Sequence, residues 1–262
     1  KVKLFRFYFA KMDIRQNSAI HAQVVSYIFA EANICSDYLK LSDSERSQLL
    51  LNAFTQDILS NIKLDNVLAH EIIATIKAVG KIQQHNGSNS VERYIISNTD
   101  SVASVLEVLW LVNLLNQHNP QATIILEVVP LFETIDDLAN SERIMTTLFE
   151  TPLYLQNVKY WKMCQTIMLG FSDGTKDGGY LMANWSIFQA KKRLSKLAKK
   201  YGVNLVFFDG RGGPPSRGGG ETYSFYRSLA REIDDHEIQL TIQGQTISAN
   251  FGTPAAATFN LE

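Results

Sequence analysis

The sequence holds no apolar run near the ~18 residues that a membrane-spanning helix requires, so an integral membrane protein is not expected. No secretory leader is visible either. Only two cysteines, Cys35 and Cys164, occur in 262 residues, far apart and in apolar or helical surroundings. That excludes a disulfide scaffold and reads as two reduced thiols in a cytoplasmic protein. Charge of one sign is missing too: 25 Lys and Arg face 26 Asp and Glu, for a formal net charge of −1. A general nucleic-acid binder would carry a basic excess. No two of the histidines His21, His70, His85, His118 and His236 stand at metal-ligand spacing, and only His21, just behind "DIRQ", is placed to reach a site. Apart from one glycine-rich stretch there is no low-complexity segment, and there is no clear internal repeat. The chain starts at Lys1 rather than at methionine and closes on Leu-Glu, as at a tag junction, so it reads as a piece of a longer protein.

What remains is ample material for a core: 45% of residues are hydrophobic and 19% charged. Five segments read as strands buried on both faces, each a short run rich in Ile, Val and Phe. They are "KLFRFYFAKMDIR" ending near Arg15, "ERYIIS" ending at Ser97, "ATIILEVVPLFE" ending at Glu133, "QTIMLGFSD" ending at Asp173 and "VNLVFFDGR" ending at Arg211. Helical patterns fill the gaps. A capping box, Ser42 to Glu45, opens one. A second is stopped by Pro120. A third runs from Leu181 to Tyr201, with Lys191, Lys192, Lys196, Lys199 and Lys200 read as its solvated face. The last three strand-to-strand spacings, 36, 40 and 38 residues (97 to 133, 133 to 173, 173 to 211), each suit one βα unit. The first, 82 residues (15 to 97), leaves room for extra helices. The expectation is an α/β fold: a parallel sheet forming a partial (β/α) barrel, rich in helix and with large helical insertions. Residues 1–262 form one domain in this reading. The βα units and site motifs occupy 1–220, and 221–262 make a variable tail of helix and hairpin, turning near Gly244 and ending in a tag remnant.

The polar residues behind these strands carry the chemistry. In a parallel α/β protein the carboxyl ends of the strands share one face, where ligands bind. Arg15, Glu133, Asp173, Lys176 and Arg211 would surround that mouth. Two carboxylates on separate strands suit a hard divalent ion that keeps water or substrate oxygens in its other positions. Three cations suit a multiply charged anion, so the set reads as metal-assisted chemistry on a phosphorylated or carboxylated small molecule. Blander readings compete: Glu133 and Asp173 as helix caps, Lys176 as surface, Arg15 paired with Asp13 or another carboxylate. In "FFDGRGGPPSRGGG", Phe207 to Gly220, two arginines sit six positions apart among glycines. Guanidinium groups and bare N–H groups both suit an oxyanion. An RGG-type RNA-binding segment is disfavoured by the charge balance and by the absence of interleaved aromatics.

"IMLGFSDGTKDGG" followed by "LVFFDGRGGPPSRGGG" resembles phosphoenolpyruvate carboxylase, and "MDIRQNS" and "VVPLFETIDDL" match further segments of that family. The matches run in family order from about Asp13 to Gly220. The resemblance implies an α/β barrel enzyme that adds bicarbonate to phosphoenolpyruvate with Mg²⁺ or Mn²⁺, of which this chain is the central fragment, inactive alone. It implies Glu133 and Asp173 as metal ligands, Lys176 as the catalytic lysine, and Arg15 and Arg211 as phosphate or carboxyphosphate binders. Arg217, with Gly210, Gly212 and Gly213, becomes the loop linked to inhibition by aspartate or malate. A cytoplasmic homotetramer with no nucleic-acid or membrane partner is implied as well. The sequence departs from the family at Asp209, where a histidine usually stands. An anion there counts against phosphoenolpyruvate affinity and favours the alternative, a non-catalytic relative that binds a metal or organic anion.

Overall fold

A computed structural model of the chain describes residues 10–121, 123–210, 226, 233, 237–241 and 244–261, with the backbone alone at 172–174 and 245–246. Its strands are β1 (Met12–Asn17), β2 (Val91–Ser97), β3 (Glu127–Phe132), β4 (Cys164–Leu169), β5 (Asn204–Asp209) and β6 (Ile238–Leu240). They lie side by side in chain order and every neighbouring pair is parallel. An order without reversal means that the sheet winds one way, as in a barrel, rather than outward from a central switch point.

The period of two along each strand sorts the side chains. Tyr94, Ile96, Val128, Phe132, Ile167, Leu169, Leu205 and Phe207 face the helices and join the main core. Ile95, Val129, Leu131 and Met168, with Phe208 beside them, form a second, smaller cluster on the opposite face. That second face is concave. Arg93 on β2 donates to Glu127 at 2.9 Å and also reaches Gln239 on β6. In a flat sheet four strand spacings would separate β2 and β6 by roughly 19 Å, too far for one arginine side chain. The curl brings them together, and the six strands make half a barrel.

Helices cover the convex face: α1 (Ser18–Glu31), α2 (Asp43–Asn52), α3 (Val67–Asn86), α4 (Val102–His118), α5 (Ile135–Glu150), α6 (Pro152–Tyr160) and α7 (Ser172–Tyr201). After β6 come α8 (Gly244–Phe251) and α9 (Pro254–Leu261), which pack on each other. The long first spacing holds α1 to α3. The Ser42–Glu45 capping box opens α2. Helix α4 is buried almost all round, as its continuous apolar composition requires, and its Trp110 indole donates to the Ala53 carbonyl.

The α/β class and the partial barrel agree with expectation; three details do not. The tail does not form a hairpin near Gly244. Ile238–Leu240 pairs in parallel with the open edge of β5 and Gly244–Phe251 is helical. The alternation of "IQLTIQ" imitates a strand pair, but Ile247 and Phe251 stand four apart, the spacing of a helix face. β4 stops at Leu169, so Asp173 lies in the first turn of α7 rather than on a strand. α7 itself starts nine residues before Leu181 and is broken at Gly179, whose φ of 80° only glycine adopts without strain.

Candidate functional site at the carboxyl edge of the sheet

Ile14 packs toward the main core, so the alternation turns Arg15 to the concave face. On β3 the same alternation through Val129 and Leu131 continues to Glu133, one residue past the strand. The Arg15 guanidinium spans the intervening β2 and donates to Glu133 Oε1 at 2.7 Å. Glu133 does not cap α5. Thr134 does, with Asp137 returning the bond to the Thr134 amide at 3.0 Å and also accepting from the Glu133 amide. The cap fixes the Glu133 backbone and leaves its carboxylate to Arg15 rather than to the helix.

The start of α7 is fitted against the same turn. The Gly170 amide donates to the Phe132 carbonyl at 2.8 Å, and a Cβ on Gly170 would stand 3.0 Å from Glu133 Cα. Asp177 accepts from the Ile135 amide at 3.2 Å, and a Cβ on Gly178 would stand 3.0 Å from Ile135 Cδ1. The first turns of α7, which carry Lys176 as an exposed residue, are therefore docked beside Glu133. Asp173 lies there by backbone, and its side chain is outside what is described. Among the described residues no three His, Cys, Asp or Glu side chains form a ready metal cage. The described part of the expected ligand pair is Glu133.

β5 brings a group that sequence reasoning misplaced. Asp209 shares the parity of Leu205 and Phe207 and so turns away from the concave face, toward α7. There its Oδ2 accepts from Lys191 Nζ at 2.6 Å and from the Tyr226 hydroxyl at 2.5 Å. Lys191 also lies over the rings of Phe207 and Tyr226, at 5.4 and 5.5 Å. The lysine run is thus not one solvated face. Lys196, Lys199 and Lys200 are exposed, but Lys191 is buried. A signal existed: Lys191 stands four residues after Ile187 and three before Leu194, within the stripe that faces the core. Behind Asp209, the Gly210 amide donates to the Leu169 carbonyl at 2.8 Å, whose oxygen would lie 3.0 Å from any Cβ there. Arg211, Gly212, Gly213 and Arg217 lie outside the described residues.

His21 does not join the site. It is fully buried on α1, with Nε2 2.9 Å from the Tyr94 hydroxyl, and Tyr94 belongs to the helix-facing side of β2. Burial lowers its pKa to about 4. No described helix is long and apolar enough to cross a membrane.

With this geometry established, comparison with known proteins is specific. The family model described as phosphoenolpyruvate carboxylase matches residues 1–262. The phosphoenolpyruvate carboxylase of Synechococcus sp. is 36% identical over 267 aligned residues, which cover 100% of this chain and 25% of that protein. The phosphoenolpyruvate carboxylase of Mycobacterium leprae is 37% identical over 266, covering 100% and 28%. The chain therefore spans about a quarter of the length of these relatives.

Proposed function

The chain belongs to the phosphoenolpyruvate carboxylase family, and from that premise we propose that the full-length protein carrying it adds bicarbonate to phosphoenolpyruvate, giving oxaloacetate and phosphate. The observation that carries the reading is Arg15 bonded to Glu133 on the concave face, beside the docked start of α7 with Lys176. A cation and a carboxylate at the carboxyl edge of a half-barrel stand where such folds bind substrates. In the proposed reaction bicarbonate attacks the phosphoryl group, leaving carboxyphosphate and the enolate of pyruvate. Carbon dioxide released from carboxyphosphate is then captured by the enolate. Arg15, Lys176 and Arg211 hold the two anions together and offset the developing charge.

Glu133 and Asp173 are the residues that would hold a divalent ion. The donor chemistry fits: Glu133 presents hard carboxylate oxygens, and the β4–α7 connection leading to Asp173 packs on its backbone through Gly170. Magnesium or manganese held there would stabilise negative charge on phosphate or enolate oxygens. Arg217 belongs to the same reading as the residue through which aspartate or malate inhibits, as do a homotetramer and a cytoplasmic location. The family also draws a histidine from an earlier segment and arginines from a later one, so this chain alone is expected to be inactive. Asp209 lends no support to a non-catalytic relative, because its carboxylate faces Lys191 rather than the concave side.

The test is oxaloacetate formation by the full-length protein, followed by coupled reduction, with Mg²⁺, with Mn²⁺ and with a chelator. Turnover that requires the metal supports the reading in full. Absence of turnover under all three conditions would overturn it, and turnover undiminished by chelator would remove its metal.

A further inference from the structure

The glycine-rich segment is bracketed by two described residues, Gly210 before it and Tyr226 after it. Asp209, one residue before Gly210, accepts on a single oxygen from both Lys191 and Tyr226. The chain before the segment and the chain after it thus meet at one carboxylate, and one buried ammonium holds that meeting point. Lys191 is 2% exposed, and its charge lies over an aromatic ring from each side, Phe207 of β5 and Tyr226. The start of the segment is held a second time by Gly210, whose amide is bonded to the Leu169 carbonyl and where a Cβ would stand only 3.0 Å from that oxygen.

We propose that Lys191 is a positioning residue: through Asp209 and Tyr226 it joins the two ends of the glycine-rich segment and anchors the arginine that follows. In sequence Arg211 stands two residues after Asp209 and Arg217 eight, so the effect of the anchor is expected to be larger at Arg211. The same lysine stands on α7, whose other end carries Lys176. One element therefore supplies a candidate cation and holds the base of the segment bearing another. The consequence for catalysis rests on the carboxylase reading; the anchoring does not.

The experiment uses the full-length protein and three variants, Tyr226→Phe, Lys191→Met and Asp209→Asn. Tyr226→Phe removes one hydroxyl and keeps the ring, so it decides the matter if the other two fail to fold. Trypsin cleavage of the folded proteins after Arg211 and after Arg217 is timed by mass spectrometry, and kcat and KM for phosphoenolpyruvate are measured alongside. In the wild type, cleavage after Arg211 is expected to be slower than after Arg217. Tyr226→Phe should accelerate cleavage after Arg211 about tenfold, the effect of losing one hydrogen bond to a charged group, and change cleavage after Arg217 less. It should lower kcat/KM by a similar factor, mostly through kcat, with the unfolding midpoint nearly unchanged. Unaltered cleavage after Arg211 in Tyr226→Phe would overturn the anchoring even if the wild type is an active carboxylase. Accelerated cleavage in a protein that makes no oxaloacetate would support the anchoring and defeat the carboxylase reading instead.

Discussion

Two ion pairs stand at the carboxyl edge of one sheet, and their surroundings are opposite. Arg15–Glu133 lies on the concave face, with the guanidinium 51% exposed and the carboxylate 14%. Lys191–Asp209 lies on the convex face, with side-chain exposures of 3% and 6%. The distances, 2.7 and 2.6 Å, do not separate them; solvent does. An exposed pair is worth ~0–1 kcal/mol, because water competes for both partners. Its members can therefore exchange each other for a ligand at small cost. A buried pair has surrendered its hydration, and neither member can leave without stranding the other. The first pair suits a binding surface and the second a framework.

Breaking the buried pair should have the largest effect. Lys191→Met leaves the Asp209 carboxyl group buried without its cation, and is expected to destabilise its surroundings by ~3–5 kcal/mol. Hydrogen exchange at the β5 and α7 amides of the full-length protein would measure this locally. The double variant Lys191→Met/Asp209→Leu should recover most of the loss, since two apolar groups of similar volume need no partner. If the single variant costs under about 1 kcal/mol, the pair behaves like a surface pair and the contrast fails.

Next comes chemistry at the exposed pair and its neighbours. Glu133→Gln keeps the side-chain shape and removes the charge. It is expected to lower kcat by ~10²–10³, about 3–4 kcal/mol of barrier, while the unfolding midpoint hardly moves. Lys176→Ala and Arg211→Ala should act on a similar scale, and Arg217→Ala less, with its main effect on inhibition by aspartate. If Glu133→Gln loses stability rather than turnover, the assignment of framework and binding pair is reversed.

A third pair carries the comparison into the helical layer. Glu107 on α4 is fully buried and accepts from Arg46 and from the Tyr38 hydroxyl. Burial raises its pKa from 4.5 to about 7, against the attraction of Arg46. The folded state thus binds the extra proton, so this contribution to stability is complete below pH 4.5 and is lost as pH rises to about 7. At about 1.4 kcal/mol per pH unit it amounts to roughly 3 kcal/mol. His21 runs the other way. Its pKa falls from 6.5 to about 4, so its contribution is present above pH 6.5 and is lost on acidification. Between pH 4.5 and 6.5 the two slopes oppose each other. Urea midpoints should therefore be nearly flat in that window for the wild type and should rise with pH in Glu107→Gln. A wild type that rises with pH as steeply as the variant would show that Arg46 keeps Glu107 ionised throughout, and a flat variant would remove the His21 contribution instead.

The parts of this molecule that could be read from sequence are those governed by local pattern. Apolar runs marked β2 to β5, Ser42 and Glu45 marked a helix start, and the strand-end positions of Arg15 and Glu133 marked two side chains that meet on the concave face. Parity would have marked Asp209 as helix-facing, because Leu205 and Phe207 precede it at steps of two. Its resemblance to a histidine position drew attention to the mouth instead. Lys191 was hidden by its lysine neighbours, since burial of one cation in a basic run depends on a partner 18 residues away. The tail was misread because "IQLTIQ" fits a hairpin as well as an edge strand. Only the open side of β5 decides between them, and that is a tertiary fact.

The smallest expected effect is also the sharpest probe of the contrast. Arg15→Gln removes the cation of the exposed pair and leaves Glu133, at 14% exposure, in contact with water. Water can then solvate the carboxylate that the guanidinium releases, so the loss of stability should fall within ~0–1 kcal/mol. Salt should act in the same direction: raising ionic strength from 0.1 to 1 M shortens the screening length from about 10 to about 3 Å. It should therefore narrow the gap between wild type and Arg15→Gln while leaving the gap for Lys191→Met unchanged. Urea midpoints of the three proteins at both ionic strengths measure this directly. Equal salt sensitivity in the two variants would mean that solvent reaches both pairs alike, and the division of this edge into a binding face and a framework face would have to be given up.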